Sequence, residues 1–358
     1  MSHIPESKVE AELRKSFDEH AARGKRMNAF LATIAPEEHD RRRYVGGSDI
    51  SGILGLQPPR WRTALQIWER KIAEELPAEE ETPREQRKRL ARGHVVEPLV
   101  ARMLEVLHGI TGAQRGRRYV DADFPYFAAE IDLELPLEAV AHLFPGVEID
   151  PENDVTVNVE IKTVHPFAAG EWGEEGTEDV PIHYAAQVYW GLGVTRRRFA
   201  LCAALFGADD LVLYPIVADV ETIAGMRAKA ERFWQEHVLP GIPPAPSTLA
   251  DAAALWPTDD GSVVEADEAI VGALRTLAAM RAARKSYADG EDGVALLIRE
   301  FTKGATTISR DGIELATLKA QATHSIDAAR LKEQFPDAYR ACARKGTTRV
   351  LRINERAL

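Results

Sequence analysis

Helical and strand periodicities succeed one another along most of this chain, and their order divides it into regions. In residues 7–35, Val9, Leu13, Phe17, Ala21, Met27, Leu31 and Ile34 form an imperfect helical stripe that Pro36 ends, which predicts an N-terminal helical appendage over 1–38. From "YVGGSDISGILGL" at 44–56 onward the two periods alternate in a mixed α/β order, predicting an α/β (α+β) domain over 39–245. "PGIPPAPS" at 240–247 reads as a linker. Beyond it, 246–358 predicts an accessory module: a helix near 265–288, a second near 293–303, and a hairpin in "ATTISRDGIELATL" turning at Asp311-Gly312. A capped helical segment interrupted at Pro336 and a last strand, "TTRVLRI", complete it.

Composition narrows the class. With 45% hydrophobic and 28% charged residues the chain reads as an ordinary globular protein, and no apolar run approaches the roughly 18 residues of a membrane span. The first twenty residues hold no apolar stretch of signal-peptide type, and two cysteines, Cys202 and Cys342, offer neither a disulfide framework nor a zinc cluster. The expected location is therefore a reducing cytoplasm. A net charge of −11 argues against coating nucleic acid by bulk electrostatics, yet arginines cluster in "DRRRY" (40–44), "QRGRRY" (114–119) and "TRRRF" (195–199), each beside an apolar segment. These are either parts of a local basic groove or solvated helix ends and turns.

One strand carries the candidate chemistry. Of the three acid-x-Lys triplets, Glu6-Ser-Lys8 lies in the terminal leader and Glu69-Arg-Lys71 in a helical pattern, where two apart means different faces. Glu160-Ile-Lys162 lies in "VNVEIKTV" (157–164), where Val155, Val157, Val159 and Ile161 form one face. Thr156, Asn158, Glu160 and Lys162 share the other, with the two charges about 6.6 Å apart along the strand. Such a face is either wet or a metal site. Asp132, in the strand-like "AEIDLEL", and Glu97, on a helix whose stripe is Val96, Leu99, Val100, Met103 and Leu104, are the acids that could join it. Carboxylate oxygens, a backbone carbonyl and water suit a hard ion such as Mg²⁺, and a lysine beside them can orient or deprotonate a water.

The ordered segments "GGSDISGILGL", "RGHVVEP", "AEIDLEL", "VEIKTV" and "YAAQVYWGLGVT" resemble the YqaJ-like viral recombinase nucleases, relatives of phage lambda exonuclease in the PD-(D/E)xK superfamily, over roughly 40–220. The resemblance implies a restriction-endonuclease-like core, a mixed sheet flanked by helices. It makes Asp132 and Glu160 metal ligands with the Ile161 carbonyl, gives Lys162 the attacking water, and gives Glu97 a second metal or a metal-bound water. Gln187 matches the glutamine of the following helix, and His183, on the same face, reads as a packing residue. "YVGGSDISGILG" would receive a terminal DNA phosphate through Ser48 and the helix amides, with Arg41 and Arg43 as phosphate partners and Asp49 as a helix cap. Implied with these are Mg²⁺ (Mn²⁺ substituting), 5′ to 3′ exonuclease activity on linear duplex ends, a ring-shaped homo-oligomer, a single-strand annealing partner and a phage or prophage origin in a bacterial host.

The sequence departs from the family pattern in two places. Pro-Asp-Gly is replaced by Ile131-Asp132-Leu133, and 28 positions separate Asp132 from Glu160, so "PLEAVAHLFPGVEIDPENDV" reads as an insertion with its own helix. Asp150 and Asp154 stand as alternative ligands among its turn residues. Two other functions fit the same residues: an endonuclease of restriction or defence, and a non-catalytic DNA-binding protein on a decayed nuclease fold.

Overall fold

A computed structural model describes residues 40–58, 61–74, 84–323, 325–344, 346 and 348–357, with side chains omitted from 84–94. The helix expected over 7–35 lies outside the described residues. The chain packs as two units that meet at Asp251 and Ala252.

In the first unit, α1 (Gly47–Leu54), α2 (Ala64–Ile72) and α3 (Arg84–His108) precede the strands. β1 (Gln114–Arg115), β2 (Arg118–Val120), β3 (Ala128–Glu130), β4 (Leu133–Pro136), the short α4 (Leu137–Val140) and β5 (Thr156–Val164) follow. α5 (Ile182–Thr195), β6 (Phe199–Phe206), β7 (Asp210–Val217) and α6 (Val220–Phe233) complete it, and α7 (Leu249–Leu255) spans the division. The main sheet has the order β1-β4-β5-β6-β7, while β2 and β3 pair separately. β5 is antiparallel to β4 and parallel to β6. The parallel pair needs a crossover, and α5 supplies it.

β6 reads FALCAALF without a polar residue because it is buried along its whole length. One face of the sheet packs Val157, Val159, Ile161, Leu201, Ala203 and Leu205 against Val100 and Leu104 of α3. The other packs Ala200, Cys202, Ala204 and Tyr214 against Val188 and Leu192 of α5. The opposite side of α5 enters a third cluster, with Val45, Ile50, Ile67, Phe127 and Trp190. A helix buried on both sides reads apolar around its whole circumference, which explains "IHYAAQVYWGLGVT".

The segment between β4 and β5 is part of this core rather than a surface addition. Leu137, Val140 and Phe144 are buried among the sheet residues, and Asp150 and Asp154 are its fasteners. Asp150 accepts from the Glu152 amide (3.0 Å) and Asn153 Nδ2 (2.6 Å), while Asp154 accepts from Arg198 Nη1 (2.5 Å) and the Asp150 amide (2.9 Å). Both acids are thereby engaged outside the Glu160 cluster.

The proline-rich 240–247 stretch is bound back onto the first unit. Asp251, 1% exposed, accepts from Thr63 Oγ1 at 2.9 Å and from the amide and hydroxyl of Ser247 at 3.0 Å each. In the second unit, where two helices were expected, one helix, α8 (Glu268–Thr302), runs through Gly290 and Gly293. Each interior glycine costs only about 1 kcal/mol relative to alanine, too little to force a break. β8 (Thr307–Arg310) and β9 (Ile313–Thr317) form the hairpin, with Asp311 and Gly312 both at positive φ (51° and 78°), as a tight two-residue turn requires. α9 (Ala328–Gln334) and α10 (Pro336–Cys342) follow, with Pro336 opening the second. The expected last strand, "TTRVLRI", does not form: its described residues are irregular, with Arg349, Val350 and Leu351 exposed and no neighbouring strand to pair them.

Candidate active site

The polar face of β5 is not wet. Asn158 is 4% exposed and Glu160 8%, because α5 lies over them. Gln187 reaches down from that helix: its Nε2 donates to Glu160 Oε1 at 2.6 Å, and its Oε1 accepts from Lys162 Nζ at 2.9 Å. Lys162 Nζ also donates to Glu160 Oε1 at 2.5 Å. Acid, lysine and amide thus form a closed triangle in which each side chain fixes the other two.

Asp132 enters from the neighbouring strand. The chain leaves the small sheet at Glu130 and joins the main sheet at Leu133, and Asp132 occupies the crossing. Its Oδ2 accepts the Ile161 amide at 2.7 Å, which docks the carboxylate beside the Glu-x-Lys strand. Burial pushes the Asp132 carboxyl well above the usual range, and the negative charges of Glu160 and Glu97 push the same way, against Lys162 and the Ile161 amide. Lys162 moves up: burial opposes its charge, but Glu160 and Asp132 outweigh that and keep it an ammonium. It can therefore donate to a water or a phosphoryl oxygen but has no free base to offer. Glu97 sits within α3, which continues through Pro98, so its carboxylate does not mark a helix start.

Buried carboxylates that repel one another are a donor set short of positive charge. Asp132, Glu160 and the Ile161 carbonyl are hard oxygen donors suited to a divalent cation such as Mg²⁺ or Mn²⁺, whose remaining positions water and phosphate can take. Among the described residues no three His, Cys, Asp or Glu side chains converge as a ready-made cage, so Glu97 is within electrostatic reach of Asp132 but does not complete one.

Gly116, between β1 and β2, packs against the crossing: its amide donates to the Asp132 carbonyl at 3.0 Å. A Cβ there would fall 1.9 Å from the Ile131 carbonyl oxygen, so Gly116→Ala must displace the Asp132 backbone. For the DNA cleavage proposed below, the expected result is a rate slowed by about 10²-fold, the order a misplacement near 1 Å produces. Single-turnover rates with saturating DNA check this, and a wild-type rate would exclude it.

A second cluster lies at the start of α1. Arg41 Nη1 donates to Ser48 Oγ at 3.3 Å, and Arg41 Nη2 bonds Glu130 at 2.9 Å. Arg41 is half-exposed, whereas Arg43 is 84% exposed and paired at 3.3 Å with Asp40. Asp49 accepts from the Gly46 amide (3.1 Å), closing the helix start, and its charge is met by Lys71. Lys71 Nζ contacts Asp49 (2.7 Å) and the carbonyls of Arg41 (2.6 Å) and Tyr44 (2.5 Å). Gly47 lies against Gln187, where a Cβ would come within 3.0 Å of Cγ, so the two clusters adjoin.

Several contributors were not foreseen. Lys71 belongs to a triplet with no shared chemistry of its own, and only the packing of α2 against residues 41–49 gives it a role. Tyr44 donates to Glu130 at 2.9 Å, and burial and that carboxylate push its hydroxyl up to about 12. Tyr184 lies under Lys162, with Nζ 5.0 Å from its ring centre, and His183 packs on Trp61 and Tyr184. The arginines of 196–198 are paired within the chain: Arg196 bonds Asp123 (2.8 Å) at the surface, Arg197 bonds Asn158 (2.7 Å) and Tyr119 (2.8 Å), and Arg198 bonds Asp154. They do not supply free charge to a groove.

The first unit is thus a mixed α/β fold, a central mixed sheet flanked by helices, whose inner strand carries Glu-x-Lys with Asp132 docked beside it and α5 crossing to its parallel neighbour. The model of the YqaJ-like viral recombinase domain matches residues 38–198 of this chain. The YqaJ protein of Bacillus subtilis (strain 168) is 26% identical over 328 residues, covering 88% of this chain and 92% of that protein. Among solved structures, the alkaline exonuclease LHK-Exo from Laribacter hongkongensis is similar at 15% identity and a TM-score of 0.39, covering 56% of this chain and 91% of its own. A phage-related exonuclease from Haemophilus somnus 129PT is similar at 12% identity and a TM-score of 0.35, covering 55% and 96%.

Proposed function

We propose that this chain is a divalent-metal-dependent DNA exonuclease of phage or prophage type that hydrolyses phosphodiester bonds from duplex ends, 5′ to 3′, leaving single strands for recombination. The observation that carries this reading is the buried convergence of Asp132, Glu160, Lys162 and Gln187 on β5. Asp132, Glu160 and the Ile161 carbonyl would hold the cation, with Glu97 holding a bound water or a second ion. When bound, Mg²⁺ would polarise the phosphoryl oxygen and make water a nucleophile near neutral pH.

The chain's own groups supply positioning. Lys162, held by Glu160 and Gln187, would give its remaining Nζ hydrogen to the attacking water and offset charge on the scissile phosphate. Gln187 keeps Glu160 and Lys162 aligned. Arg41, Ser48 and the first amides of α1 would receive the 5′-phosphate, which sets the strand end at a fixed distance from Lys162.

The test uses end-labelled linear duplex carrying a 5′-phosphate or a 5′-hydroxyl, beside covalently closed circular DNA, with Mg²⁺, Mn²⁺ or EDTA. Mononucleotide release from 5′-phosphorylated linear DNA, an intact circle and no cleavage in EDTA are expected. Cleavage of the closed circle would assign an endonuclease instead. End binding without cleavage in either metal would leave a non-catalytic DNA-binding protein. A ring in solution and an annealing-protein partner are further parts of the proposal, checked by sedimentation and co-purification.

A further inference from the structure

The second unit carries a charge asymmetry that the active site does not use. Residues 340–356 contain Arg340, Arg344, Lys345, Arg349, Arg352 and Arg356 against one acid, Glu355, in a chain whose net charge is −11. An ordinary solvated face of so acidic a protein would mix the signs. Arg340 is paired with Asp337, and Arg349 lies close enough to Asp260 to lower that carboxyl's pKa. Arg344, Arg352 and Arg356 make no ion pair among the described residues. From Ala343 to Asn354 the described chain is irregular, with Arg344, Arg349 and Arg352 exposed and two apolar side chains, Val350 (70% exposed) and Leu351 (54%), set between the last two.

We propose that residues 340–356 are a second DNA-binding surface, one that takes the sugar-phosphate backbone of single-stranded DNA. Arginines along an exposed, irregular chain can each meet a phosphate. The intervening apolar side chains have a partner only where base faces are uncovered, which a duplex does not offer. Phosphate contacts and contacts to base faces do not read sequence, so binding is expected to be sequence-tolerant. Choosing DNA over another polyanion rests on the nuclease reading above; the surface itself does not depend on catalysis.

The experiment uses the full chain in EDTA, so that no cleavage is required, and a small circular single strand of thymidines, so that no end can enter the Arg41–Ser48 cluster. Fluorescence anisotropy is measured across a potassium chloride series for the wild type and for Arg344→Gln/Arg349→Gln/Arg352→Gln/Arg356→Gln. All four arginines are exposed, so the variant is expected to fold, and its thermal melt checks this. The expected result is at least tenfold weaker binding and a log-affinity against log-salt slope shallower by about 3, near 0.7 for each lost single-strand phosphate contact. Equal affinity and slope in the two proteins would overturn the proposal. So would equal competition by polyglutamate, which would mark a general polyanion surface, or by closed duplex circles, which would remove the single-strand preference. If the wild type binds the circle as expected but cuts no DNA in Mg²⁺, the nuclease reading fails alone.

Discussion

Lys162→Ala is expected to lower the rate of the proposed DNA cleavage by about 10²- to 10³-fold, the range for losing one positioned charged donor at the reacting centre. The ammonium lies between Glu160 (2.5 Å) and Gln187 (2.9 Å) and keeps a positive charge because Glu160 and Asp132 surround it. Its removal leaves the Asp132 and Glu160 carboxylates facing each other without that positive charge, which raises the Asp132 carboxyl further. The variant should still bind 5′-phosphorylated ends, since Arg41 and Ser48 are untouched. Single-turnover cleavage in Mg²⁺, with end binding measured in parallel, checks both halves. A rate within about threefold of wild type would remove Lys162 from the chemistry, and loss of both binding and folding would make its role structural.

The second large effect is on stability. Lys71→Met should destabilise the first unit by about 3–5 kcal/mol, the cost of stranding a buried charge. The side chains of Lys71 and Asp49 are 3% and 12% exposed, and the same ammonium satisfies the carbonyls of Arg41 and Tyr44. In a unit of this size that corresponds to a melting temperature lower by about 10 °C. Asp49→Asn on top of Lys71→Met should recover part of the loss, because the stranded charge is then gone although the two carbonyls remain unmet. Thermal melts of the two single variants and the double variant decide the matter. An additive double variant would show that the pair does not interact. Since Lys71 anchors the segment holding Arg41, any folded Lys71→Met protein should also lose discrimination between 5′-phosphate and 5′-hydroxyl ends.

Much of the arrangement was legible in the residues. Alternation along 155–162 placed Glu160 and Lys162 on one face, and the resemblance picked out Gln187, which the helical spacing put on the same helix face as His183. Less visible was what covers that face. Glu160 is buried because α5 returns over β5, a contact between segments more than twenty residues apart. Lys71 was illegible for the same reason, since its partners lie on a different segment, Arg41 to Asp49. Two helices were expected over 265–303, yet the single helix α8 runs through Gly290 and Gly293. The last strand expected at "TTRVLRI" does not form because alternating residues make a strand only where a neighbour pairs their backbone, and among the described residues none does.

The sequence by itself determined the strand period that aims Glu160 and Lys162 together, the apolar run of β6, and the Asp-Gly turn of the hairpin. These are local: side-chain alternation, burial on both faces and positive φ follow from residue identity and spacing. Only the tertiary structure decided that Asp132 docks on the Ile161 amide, that Lys71 neutralises Asp49, and that Asp150, Asp154 and Arg196–Arg198 act as fasteners. Long-range ion pairs and hydrogen bonds leave no periodic trace in a sequence, because which charges meet depends on how distant segments pack.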